Sequence, residues 1–109
     1  MLTAVALARK AGVDAGLVRQ ALLGGFAASR VLEVHGERML NANYKPGFRT
    51  KLYQKDMRLA NEAAAANSVS MPTTALVTQL VNALVSSGGG DLDYSALGTV
   101  IFDLSGLKK

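Results

Sequence analysis

The chain has no cysteine, no tryptophan, only two prolines and six aromatic rings among its 109 residues. Without a thiol there is no disulfide staple, no thiolate metal site and no cysteine nucleophile, and a reducing, cytoplasmic setting is the expectation. A single histidine, His35, stands without a second imidazole or a paired carboxylate at metal-ligand spacing, so it reads as a helix-packing residue and no metal is expected. With so few rings, the 50% hydrophobic content falls on Ala, Leu and Val, which implies a folded, Ala-rich helical chain rather than a disordered one. No apolar run approaches the roughly 20 residues needed to cross a bilayer. The apolar start, Met1 to Ala8, precedes Arg9 and Lys10, the reverse of a secretory leader, so a soluble protein without membrane contact is expected. Period-2 segments, internal repeats and low-complexity linkers are missing too, which leaves one all-α domain over residues 1–109.

What is present is a modest excess of positive charge, +4 at neutral pH with a pI near 9.7. The cations are scattered except between Lys45 and Lys55, where Arg49 and Lys51 intervene and Asp56 follows at once. That pattern suits a solvated helix face better than a nucleic-acid surface, and no recognition helix with clustered Arg accompanies it.

Helical punctuation is dense. Leu2 to Ala11 is Ala-rich and stopped by Gly12; Asp14 caps a second helix carrying Leu17, Val18, Ala21 and Leu22, which Gly24 and Gly25 end. Ser29 caps a third with a stripe of Val31, Leu32, His35, Met39 and Leu40, ending near Asn41 to Asn43. After the Pro46-Gly47 turn, Phe48 to Asn67 can run uninterrupted as the longest helix. Pro72 suits the first turn of a fifth, whose Leu76, Val77, Leu80, Val81, Leu84 and Val85 predict a central position. Gly88 to Gly90 stop it, Asp93 can cap the next helix, and Leu97, Val100, Ile101 and Leu104 mark that last amphipathic element, whose negative end the Lys108-Lys109 tail complements.

Few residues invite a chemical role. On the fourth helix Asp56 falls amid an apolar half formed by Phe48, Leu52, Leu59, Ala60 and Ala63, so a specific partner is expected for its carboxylate, either as a structural tie between helices or in chemistry. Lys55 sits at the edge of the polar half, where its ammonium can be simply solvated or can reach into a cleft. Gly88 to Gly90 follow a helix rather than a strand and read as a helix stop, not a phosphate cradle; Gly24-Gly25 serve equally as a turn or as backbone donors to an anion. Solvation and capping account for Asp91 and Asp93. Nowhere do a nucleophile, a base and an oxyanion site assemble.

Six segments in order nonetheless carry a resemblance: KAGVD at 10–14, GGFAAS at 24–29, YKPGF at 44–48, QKDMRLA at 54–60, Pro72, and DLDYSAL at 91–97. Together they resemble the C-terminal domain of β-hydroxyacid dehydrogenases, the group containing 3-hydroxyisobutyrate dehydrogenase and tartronate semialdehyde reductase, and more the latter branch. The family's lysine-aspartate-leucine triplet is Lys55-Asp56-Met57 here, a change that conserves volume.

The resemblance implies a compact bundle of about six helices, like the C-terminal domain of 6-phosphogluconate dehydrogenase-like enzymes, which closes a cleft and mediates homo-oligomerisation. It implies NAD or NADP held mainly by an upstream Rossmann domain, a small hydroxyacid or semialdehyde substrate, and a proton-transferring lysine that matches nothing here; Lys10 has the wrong context. Lys55 would contact the cofactor or substrate near the nicotinamide, Phe48 would wall that pocket, and Asp56 would support the local helix geometry. Such a chain would be inactive alone, and an apolar docking patch should lie along the first helix and the Phe48 to Leu59 face. Two other readings are a free-standing helical oligomerisation module and a basic nucleic-acid binder.

Overall fold

The computed structural model describes residues 1–108 and contains six α-helices: α1 (Leu2–Lys10), α2 (Ala15–Leu23), α3 (Arg30–Leu40), α4 (Thr50–Ala66), α5 (Pro72–Leu84) and α6 (Leu97–Leu104). The class is all-α; among the described residues the only β feature is an isolated antiparallel bridge between Arg49 and Asp93. No helix among them is long and apolar enough to cross a membrane. Backbone contacts divide the chain into two units, Met1–Tyr44 with Ser95–Lys109, and Lys45–Tyr94.

The first unit holds α1, α2, α3 and α6. Gly12, at φ +74°, turns the chain out of α1, with its N–H bonded to Arg9 O and that of Val13 to Ala8 O. Asp14 then caps α2 by accepting from Gly16 N and Leu17 N, and Ser29 caps α3 by accepting from Leu32 N at 2.9 Å. Small residues on α1 give the core its shape: Val5, Ala6 and Ala8 cluster with Ala15 around the fully buried Phe102 ring. Gly98 allows close approach by Met39, whose sulfur would lie 3.2 Å from any added Cβ. Arg9 holds its guanidinium 4.7 Å over the Phe102 ring while donating to Met39 O.

The expected cation at the end of α6 comes from an unexpected place. Lys10 donates to Ser105 O at 2.9 Å, where the helix exposes its last carbonyls. Lys108 is exposed, and Lys109 lies outside the described residues.

The second unit is built on α4 and α5. Thr50, Met57 and Ala64 form the buried stripe of α4, and Val81 and Leu84 are buried on α5. Polar bonds join the pair: Gln54 Nε2 to Asn82 Oδ1 at 2.9 Å, and Asn61 Nδ2 to Thr78 Oγ1 at 2.8 Å. Gly88, at φ +96°, completes the wide turn Val85–Gly89 that ends α5, as its glycines indicated. The central position expected for α5 is not found. Leu76 is exposed, and the most thoroughly buried helix is α6, with Leu97, Gly98, Thr99 and Phe102 inside. The apolar residues of α5 spread around more of its circumference than the stripe of α4 covers.

Candidate functional site

Chemistry-bearing residues gather in the second unit, in three places. The first is a clip between its two ends. Residues 47–51 run antiparallel to 90–94, with Tyr94 N bonded to Phe48 O, Thr50 N to Leu92 O and Lys51 N to Gly90 O, each at 2.9 Å. Asp93 is 1% exposed and accepts the N–H groups of both Gly47 and Phe48 at 3.0 Å. The Phe48 ring meets Tyr94 edge-on, 5.7 Å between centroids, and Tyr94 leans in turn on Tyr53 at 5.0 Å. Phe48 itself is 39% exposed and begins the chain's path into α4.

The two loop carboxylates therefore part company. Asp91 is solvated as its sequence context suggested. Its oxygen lies 2.7 Å from Lys51 Nζ and 3.7 Å from Arg49 Nε, and the Lys51 hydrogen bond and charge hold the carboxyl below its ordinary value. Asp93 is buried rather than solvated, and a single 3-10 turn, Tyr94–Ala96, separates it from α6. Its Oδ1 holds the turn before α4.

The second place is the outer face of α4. Leu52 is 44% exposed and Leu59 48% exposed, and at 100° per residue both lie opposite the buried Thr50-Met57-Ala64 stripe. Asp56 shares this face and is exposed, which corrects the expectation of a buried carboxylate in need of a partner. The apolar half of the helix does exist, but the side holding Asp56 is uncovered, so no desolvation cost falls on it.

The third place is a groove of about 830 Å³ between α4 and α5. Lys51, Lys55 and Arg58 stand along its α4 wall with Gln54 and Asn61, and Thr78 and Asn82 line it from α5. Lys51 is held by Asp91 and Arg58 lies 3.9 Å from Glu62, whereas Lys55 has no ion pair among the described residues. Its ammonium is thus available to an anionic oxygen. Phe48 lies outside this lining, on the clip.

His35 is half-buried on α3, and no cluster of three or more acidic or histidine side chains at metal-holding distance is found among the described residues. Gly25 N bonds back to Leu22 O and Ala28 N to Gly25 O, so this glycine pair forms an interhelical turn. Sequence reading named Asp93 only as a cap for the next helix and did not single out Tyr94 or Tyr53; the one local signal was an acid placed directly before a ring after a glycine run.

Residues 1–101 match the family model described as "NAD-binding of NADP-dependent 3-hydroxyisobutyrate dehydrogenase". The chain is 51% identical over 94 residues to 2-hydroxy-3-oxopropionate reductase of Escherichia coli, covering 86% of this chain and 32% of that protein. It is 36% identical over 91 residues to glyoxylate/succinic semialdehyde reductase 1 of Arabidopsis thaliana, covering 84% and 32%. A crystal structure of 3-hydroxyisobutyrate dehydrogenase from Salmonella typhimurium superposes with a TM-score of 0.86 at 21% identity, over 91% of this chain and 35% of that one. The chain thus spans about a third of the length of the relatives it matches.

Proposed function

This chain belongs to the 3-hydroxyisobutyrate dehydrogenase family, and on that premise we propose that it is the C-terminal helical domain of an NAD(P)-dependent hydroxyacid oxidoreductase, closing the active-site cleft over a nucleotide held by an upstream Rossmann domain. The observation that carries this reading is the outer side of α4, where exposed Leu52 and Leu59 share the helix with exposed Asp56 and with Lys55, which has no ion pair among the described residues, while Phe48 stands exposed on the clip that leads into the helix. An apolar face beside an available cation suits a cleft whose ligand has an apolar ring and anionic oxygens.

The residues present fit one wall of such a cleft and not the nucleotide cradle. Lys55, with Lys51 and Arg58 nearby, can take carboxylate or phosphate oxygens, but among the described residues no strand leads into a glycine-rich turn. A bound nicotinamide would supply or accept the hydride exchanged with a small hydroxyacid or semialdehyde. This chain's share is orientation: Lys55 fixes an anionic group of cofactor or substrate, Phe48 walls the pocket against water, and the Asp56 carboxylate supports that face of α4. The proton carrier is upstream. The domain also contributes to a homo-oligomer in the cytoplasm, and it does not turn over substrate alone.

The reading is tested by titrating NADH and NADPH into the chain with and without its upstream domain and measuring semialdehyde reduction. Activity should need both parts, and Lys55→Ala should weaken ligand binding or kcat/KM about tenfold or more, the loss expected for a hydrogen bond to a charged group. Turnover by the chain alone, or an unaffected Lys55→Ala, overturns it. No binding and no activity in either mixture would favour a free-standing oligomerisation module, which the same exposed face would serve.

A further inference from the structure

Burying a carboxylate is costly, and Asp93 directs one buried oxygen at two consecutive backbone N–H groups, those of Gly47 and Phe48. Loop closure does not require it, since the three ladder bonds between 48–51 and 90–94 already join these segments. What the carboxylate adds is control of the two peptide planes flanking Gly47, the residue of this segment with the greatest backbone freedom. The next residue, Tyr94, meets the Phe48 ring edge-on and is backed by Tyr53. Adjacent residues therefore fix the backbone and the ring of one exposed phenylalanine.

We propose that Asp93 is a positioning residue that aims the Phe48 ring, and through it sets the geometry of the ligand pocket. The inference rests on the reading of Phe48 as a wall of that pocket. Small displacements of a pocket wall are amplified in rate because reacting atoms must be held in near-attack geometry.

The experiment is a double-mutant cycle in the chain joined to its upstream domain. Asp93→Asn keeps the side chain's size and one oxygen for the two N–H groups but removes the charge that strengthens those bonds. It should lower kcat/KM for the semialdehyde about tenfold and leave cofactor affinity, assigned mainly to the upstream domain, unchanged. Phe48→Ala should cost at least as much, and adding Asp93→Asn to it should cost nothing further. In the isolated chain, NMR should show the Phe48 ring resonances leaving the shifts imposed by Tyr94. A change in kcat/KM below twofold, or a loss that multiplies with that of Phe48→Ala, overturns the positioning role and leaves Asp93 a loop fastener. An unaltered rate in Phe48→Ala instead sinks the pocket-wall reading, and with it the catalytic consequence drawn here, whatever happens to the ring. Should the asparagine variant fail to fold, Asp93→Glu keeps the charge, shifts the oxygens by one methylene, and is read through the same cycle.

Discussion

The two units are held together differently. Met1–Tyr44 with Ser95–Lys109 packs small residues around a Phe102 ring with no exposure, leaves Leu7, Leu17, Phe26 and Leu104 in water, and ties its ends with side-chain bonds such as Lys10 to Ser105 O, 95 residues apart. Lys45–Tyr94 buries only a narrow stripe, joins its two helices through amides and a threonine hydroxyl, and leaves Phe48, Leu52, Leu59 and Leu76 in water. The difference separates a unit cored on one buried ring from a unit joined largely by polar bonds, and mutations should feel it.

The largest effect should be at the ring. Phe102→Ala removes the centre of the first core and the partner of the Arg9 cation, and should destabilise the protein by about 3–5 kcal/mol in urea denaturation. Leu52→Ala, on the open face, should change stability by less than about 0.5 kcal/mol. Near-equal costs at these two positions would erase the contrast. Between them, Asn61→Ala strips the Thr78 hydroxyl and Met57 O of a donor and should cost about 1–2 kcal/mol, which sharpens the view that the second unit is held by polar bonds.

Smallest of all is a divergence in pH response. The Tyr44 hydroxyl is buried, and desolvation raises its pKa above 10.0 against the opposing charge of Arg9. Its contribution is present below pH 10.0 and lost as the pH rises through the raised value, so Tyr44→Phe should flatten the alkaline limb of Tm against pH. Asp91 behaves in the opposite sense. Its carboxyl is lowered by Lys51, so its contribution is present above pH 3.8 and lost as the pH falls through the lowered value; Asp91→Asn should flatten the acid limb slightly.

Much of the fold was legible because its signals are local. Gly12, Asp14, Ser29, Pro72 and Gly88 each act within a few residues of themselves, and each stands where its side chain or its lack of one dictated. Asp93 was not legible, because the N–H groups it holds lie 45 and 46 residues earlier. A period of hydrophobicity announces an apolar face without saying whether this chain covers it, which is why Asp56 and α5 were expected inside. Lys55 is a different case: helical geometry left it either solvated or in a cleft, and only the family resemblance singled it out.

The clip has a consequence for how such a chain can vary. Because residues 47–51 and 90–94 are hydrogen-bonded to each other, the intervening helical pair leaves the chain and returns to it through one fastened neck. Entropy of closure for such an insertion grows only slowly with its length. Whole turns added in register to α4 and α5 would extend the surface they present while leaving the bonds of the neck undisturbed. The segment from 45 to 94 is in that sense a cassette, closed on itself and variable in size and lining.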